Sequence, residues 1–368
     1  VKSKVAVLRT SAKTVVDDIG RLMELADCAS EIKPDKTTLL KVNISWHVYY
    51  PGCSTSPWQL EGVIRALESS GFARERILAA QNSTVVVDPH VGLRNNKLEP
   101  VLDRYGIRSV WLNDKESEAD WIRYEPKGKM LVLNDVYPDG LMLPKTLMGA
   151  NIIHLPTLKT HVFTEMTGAM KNAFGGLLHL KRHWTHSVIH ETLVDLLTIQ
   201  KEIHPGIFAV MDGTIAGDGP GPRAMRPHLA NLLLASRDQV AIDATAAKLM
   251  GFDPMTIKFI RLADEAKLGN GDPRCIELVG DDVSKVNLGF HRNENTFASK
   301  GQKLIYHGPL KPLEKVLLRS PLVPWSYFAS RLYHDGYWYP FVGVPRKKKI
   351  MESDWGKLFR EYEPKGQA

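Results

Sequence analysis

Apolar and polar positions over the first 150 residues switch repeatedly between a strand-like and a helix-like period. Short runs dense in Val, Ile and Leu (KVAVLRT, TTLLKVNI, RILAAQNS, SVWLND) read as strands. Between them PWQLEGVIRALESSG and NNKLEPVLDRYG carry helical spacing, the first with Pro57 in its opening turn and Gly71 at its close. Strands alternating with helices predict an α/β unit with a largely parallel sheet. Over 121–144 the pattern changes to paired strands with turn signals at 126–128 and 138–140, which makes the sheet mixed.

A second unit follows. A strand NIIHLP leads into a loop rich in His, Thr and Lys, then a long helix over about 185–203 and the strand GIFAVMDG. The Gly/Pro loop GDGPGPR, the strand NLLLAS and the helices DQVAIDATAAKLMG and MTIKFIRLADEAKLG complete it. Beyond residue 301 the periodicity weakens and Pro, Trp and Tyr accumulate before RKKK at 346–349. The expected fold is therefore α/β: units 1–150 and 151–300 with largely parallel or mixed sheets, a ligand cleft between them, and an irregular aromatic-rich tail 301–368. That tail wraps the core or lies against a membrane.

Composition narrows the class. With 43% hydrophobic and 24% charged residues in 368, the chain is neither collagen-like nor disordered, and no apolar run reaches the roughly 18 residues of a membrane-spanning helix. The first residues mix charge into their apolar positions, which predicts no secretory signal. Three scattered cysteines, Cys28, Cys53 and Cys275, offer no disulfide framework and too few thiolates for an intrinsic iron–sulfur cluster, so a cytoplasmic location is expected. The net charge of +7 favours anionic partners, but basic residues are spread too evenly for a nucleic-acid domain, and no nucleic-acid partner is expected. Trp325, Tyr327, Phe328, Trp338 and Tyr339 beside RKKK suit contact with an acidic membrane through 312–349, or equally an apolar strap over the core.

Four segments carry candidate chemistry. HLPTLKTHVFTEMTGAMKNAFGG follows an apolar strand, and in open α/β sheets ligands bind at the carboxyl ends of strands. Here His154 and His161 are acid/base candidates and Lys159 and Lys171 charge stabilisers. Thr167 and Gly168 precede a short helix whose amides, with Asn172, can hold an anion, or else Thr167 is simply a helix cap. Next, His179, His183, His186 and His190 recur at spacings of four, three and four. His183, His186 and His190 are the divalent-metal candidates, against the alternative of hydrogen-bonded structural histidines. Third, MDGTIAGDGPGPR places Asp212, Gly217, Asp218, Gly219, Gly221 and Arg223 in what reads as a strand-to-loop anion clamp, or a rigid connection capped by Asp212. Fourth, KVNISWHVYYPGCSTSPWQ offers Lys41, Asn43, Ser54 and Thr55 to an anion, and Cys53 lies near a helix start, where a thiolate is favoured.

KVNIS, CSTSPWQLEGVIRALESSG, HLPTLKTHVFTEMTGAMKNAFGGLL, VMDGTIAGDGPGPR and LLLASRDQVAIDATAAKLMGFDP, in this order over about 38–280, resemble the domain of unknown function 362 family. Some members of that family carry an added ferredoxin-like module, whose cysteine series is missing here. KTHVFTEMTGAMKNAFG is also distantly similar to the nickel-pincer lactate racemase family, with His161 and Lys171 in the corresponding places and Thr167 and Gly168 replacing a double-glycine turn. That likeness implies an enzyme binding a small hydroxy acid or a phosphorylated cofactor in a cleft. The leading expectation is an isomerase or oxidoreductase acting on a small anionic or phosphorylated substrate, with a divalent metal or a phosphorylated cofactor as the candidate helper. A metal or cofactor carrier and a peripheral membrane protein acting on a lipid-derived substrate are the alternatives.

Overall fold

The computed structural model describes residues 2–83, 87–112, 120–178, 180–306, 308–309, 311–313 and 330–363, without the side chains of 180–183, 298 and 313. Its main sheet runs in the order β12-β1-β11-β10-β7-β2-β3-β4. The strands are β1 (Ser3–Arg9), β2 (Thr38–Val42), β3 (Ile77–Asn82), β4 (Arg108–Leu112), β7 (Asn151–Leu155), β10 (Ile207–Asp218), β11 (Arg226–Ser236) and β12 (Ile276–Gly280). Only β11 runs against its neighbours. The expected boundary at residue 150 falls between strands that share this one sheet, since β7 hydrogen-bonds in parallel to both β2 and β10.

Both faces of the sheet are covered, which is why its strands read as near-continuous apolar runs. Along β1, Val5 and Val7 point into one core with the helices Ile189–Ile203, Gln239–Met250 and Lys258–Glu265. Ala6 and Leu8 point into the other, with the helices Val15–Leu25, Pro57–Ser69 and Glu99–Tyr105. The expected pairing over 121–144 is present as a separate antiparallel ribbon, β5 (Trp121–Tyr124) with β6 (Leu141–Pro144).

Three elements differ from the sequence reading. The loop after NIIHLP is instead a β-hairpin, β8 (Thr157–His161) and β9 (Glu165–Thr167), with β8 continuing along β10 past Pro156. The long helix starts at Ile189, because Leu180–Val188 winds as a tighter 3-10 segment. Residues 330–363 are helical: the π-helical stretch Leu332–Gly343 runs into Val344–Met351, and Asp354–Glu361 follows. The last helix joins the core through Trp355 against Trp58 at 5.3 Å and Phe359 stacked on Tyr49 at 3.7 Å. Trp325, Tyr327, Phe328 and His179 lie outside the described residues.

Candidate functional site

After β2 the chain turns towards β3, and after β7 it turns the other way, towards β10, so the adjacent carboxyl ends of β2 and β7 form the topological switch point of the sheet. Loops diverge at such a point, the usual ligand position in open α/β sheets, which makes this region the candidate ligand crevice. The loop 43–56 and the β8–β9 hairpin form its two walls, tied by Asn43 Nδ2 donating to Thr157 Oγ1 at 3.1 Å and Thr55 Oγ1 donating to Leu155 O at 2.8 Å.

Two buried lysines lie near this point, each with its own partners. Lys41, at the end of β2, donates to Asn82 Oδ1 at 2.9 Å and to Val42 O, while Asn172 Nδ2 donates to Lys41 O at 2.7 Å. Lys159, fully buried on β8, donates to Ser45 Oγ at 3.0 Å and to Cys53 O. Among the described residues Lys159 has no carboxylate partner. Burial lowers its pKa to about 8. A buried ammonium without a counter-charge is costly, and a bound anion is one way to compensate it.

His161 closes β8. Its Nδ1 accepts the N–H of Phe163 at 3.1 Å, which places the ring proton on Nε2. Burial holds the imidazole well below its ordinary pKa, and Lys171, His186, Lys159 and Lys303 push it further down. The ring is thus a neutral hydrogen-bond donor in an electropositive surround. Lys171, half-buried beside Phe174, and His186, against Phe163, Phe174 and Tyr306, extend that surround.

Other candidates serve the scaffold. His154 is fully buried behind the crevice, with Nε2 2.7 Å from Gln200 Oε1 and Nδ1 3.4 Å from Asn172 Nδ2. Desolvation lowers its pKa to about 3, which keeps the ring neutral beside Gln200 and Asn172. Thr167 is not a helix cap. The amides of Ala169 and Met170 that the sequence offers to an anion are occupied by the Asp243 carboxylate at 2.6 and 3.1 Å, pressed against Gly168. Ser54 and Thr55 close the 43–56 loop on itself by accepting the amides of Ser45 and Asn43.

The Gly/Pro segment also differs from expectation, because β10 continues through Gly217 to Asp218. Asp212 is buried and accepts from Ser56 Oγ, Trp58 Nε1 and Thr214 N, which joins the helix Pro57–Ser69 to the sheet. Asp218 faces away from a ligand role, accepting from Arg226 and from both the backbone and ring of His291. Gly219 and Gly221 pack on Thr160, whose hydroxyl donates to Gly219 O at 2.6 Å. Arg223 is half-buried, with Nη2 donating to Ser330 Oγ at 3.2 Å and Nη1 buried without a partner among the described residues. Cys53 is buried between Lys159 and Arg223, but desolvation outweighs both cations and raises its pKa, so it is a thiol and not the thiolate its position in sequence suggested.

Among the described residues no three or more His, Cys, Asp or Glu are placed to hold a metal ion. His190 stacks on Phe259 and His186 on Tyr306, and the side chain of His183 lies outside the described set. Sequence reasoning missed Ser45, Asn82, Thr157, Gln200 and Asp243. Asn82 had a usable signal, a polar residue near the end of the strand run RILAAQNS.

The sequence profile of a family described as "Domain of unknown function (DUF362)" matches residues 38–248, which include β2, β7, Lys41, Lys159, His161 and Lys171. The Synechocystis protein named "Thylakoid-associated protein sll1697" is 34% identical over 146 residues, 38% of this chain. The matched stretch spans 43% of that relative's length.

Proposed function

We propose, from the premise that this chain belongs to the family described as Domain of unknown function (DUF362), that the switch-point crevice binds a small anionic or phosphorylated substrate and acts on it as an enzyme. The observation that carries this reading is Lys159: a fully buried lysine, without a carboxylate partner among the described residues, at the carboxyl ends of the central strands. Lys171 and Lys303 add charge around His161, so the local field favours an anion.

These groups suit a reaction in which negative charge builds up on an oxygen of the bound substrate. There His161 donates from Nε2 to the oxygen on which negative charge develops, and Lys159 and Lys171 stabilise that charge. Titration calorimetry with inorganic phosphate, pyrophosphate and small phosphorylated hydroxy acids tests the proposal. Binding weakened at least tenfold in Lys159→Met and in Lys171→Ala supports it. Equal affinity in both variants, or no binding by the unaltered protein, removes it.

Location is a second question. No helix among the described residues is long and apolar enough to cross a membrane. The name of the Synechocystis relative supports a peripheral membrane location for this chain, with the crevice open to a lipid-derived as well as a water-soluble substrate.

A further inference from the structure

The tail has one face fastened to the protein and one left exposed. Its inner face is fastened to the crevice loops: Trp338 packs 5.3 Å from Tyr50 and 6.1 Å from Trp46, Trp46 Nε1 donates to Asp335 Oδ1 at 2.8 Å, and Arg223 donates to Ser330. Its outer face is apolar and exposed. Leu332 is 60% exposed, Tyr337 57%, Phe341 71% and Val344 44%. Three rings form a continuous row along the π-helical stretch, with Tyr333 to Tyr337 at 6.1 Å and Tyr337 to Phe341 at 5.9 Å. Isolated exposed apolar residues are ordinary, but a contiguous row marks a contact surface.

Charge selects the partner. Over 331–349 the sequence has one acid, Asp335, and it is turned inward onto Trp46 and His47. Arg346 and Lys347 are also drawn in, onto Met225 O and Tyr339 Oη. What remains exposed is Arg331 at one end of the row and Lys348 and Lys349 at the other. An aromatic row bounded by cations is complementary to an anionic bilayer surface, where rings enter the interface and ammonium groups meet headgroup phosphates. We propose that Leu332, Tyr337, Phe341 and Val344, flanked by Arg331, Lys348 and Lys349, dock this protein onto an anionic lipid surface. The proposal names the face used in the peripheral reading above and is independent of what the crevice binds.

Vesicle co-sedimentation of the full chain tests it, using phosphatidylcholine with and without a quarter of phosphatidylglycerol. Binding is expected to the anionic vesicles, to weaken with salt, and to be slight on phosphatidylcholine alone. Tyr337→Ser/Phe341→Ser should lower affinity at least tenfold, and Lys348→Glu/Lys349→Glu should remove the preference for anionic lipid, each with an unchanged circular dichroism spectrum and melting temperature. Lys159→Met should bind vesicles as the unaltered protein does. The proposal is overturned by absent binding, by binding that survives Tyr337→Ser/Phe341→Ser, or by loss in Lys159→Met, which would mean headgroup capture in the crevice. It is also overturned if sedimentation velocity shows that the serine pair halves the particle mass, which would make the row an interface between two copies. Phosphate titration of the serine pair separates this surface from the crevice, since failure here leaves that affinity unchanged.

Discussion

The carboxylate of Asp243 fills the space that a side chain at position 168 would need: a Cβ built on Gly168 would lie 2.2 Å from Asp243 Oδ1. That contact fixes the turn that delivers Lys171 and Asn172 to the crevice, because Asp243 also holds the amides of Ala169 and Met170. Gly168→Ala must displace a buried, doubly hydrogen-bonded carboxylate. It should cost about 1–3 kcal/mol of stability by denaturant titration, the range of overpacked cores. A change within a few tenths of a kcal/mol would show that the helix Gln239–Met250 gives way freely.

Asp243 also predicts a pH dependence. Burial raises its pKa from 3.8 to about 7 in the folded chain, against the lowering effect of the two amides. A folded pKa above the unfolded one means that the fold retains the proton. Its stabilising contribution is full below about pH 4 and is lost as the pH rises towards 7. Asn at this position cannot titrate, so the stability of the original chain minus that of Asp243→Asn should fall across this window. A flat difference would place the carboxyl near its ordinary pKa.

Much of the crevice was legible because its residues obey a local rule. Lys41, Asn43, Lys159 and His161 each fall at or just after an apolar strand, and a parallel sheet brings such ends together. Asp243 was hidden because it reads as one polar residue in the helix DQVAIDATAAKLMG, and its partner lies 74 positions away. Asp218 was read as a loop residue because glycines interrupt its strand, whereas long pairing with β11 sustains β10 through it. The helical tail was masked by Gly336, Pro340 and Gly343, poor helix formers whose segment is held by packing of Trp338 and His334.

Trp338 is the inner anchor of the tail, touching Trp46 and Tyr50 and lying under the Arg346 guanidinium at 5.8 Å. Trp338→Ala leaves a cavity among these rings and should cost about 3–5 kcal/mol, as buried aromatic truncations do. The same change should expose 330–350 to limited proteolysis before the sheet opens. Proteolysis that starts elsewhere would show that the tail does not depend on this ring.

His161 is expected to act as a donor and not as a titrating base. Its Nδ1 is taken by the Phe163 amide, and burial with four neighbouring basic groups keeps the ring neutral. Anion affinity should therefore show no inflection near the ordinary imidazole pKa. His161→Gln, which keeps an N–H donor on a side chain of similar reach, should retain more of that affinity than His161→Ala. An inflection near pH 6.5 that disappears in His161→Gln would assign the titration to this ring and overturn the donor role.

Lys159 supplies the sharpest test because its charge should be lost within an accessible pH range. Burial lowers its pKa from 10.5 to about 8, so the folded chain gives up a proton that the unfolded chain keeps, and stability should rise between those values. Anion binding has the opposite slope. The ligand needs the ammonium form, so affinity should fall as the pH passes about 8, approaching tenfold per unit. Binding should also draw a proton from solution there, which calorimetry in buffers of different ionisation enthalpy reads directly. In Lys159→Arg the guanidinium stays charged throughout, and in Lys159→Met there is nothing to titrate, so both variants should lose the slope. A slope that persists in both would move the titrating group elsewhere, and with it the case for Lys159 as the centre of the crevice.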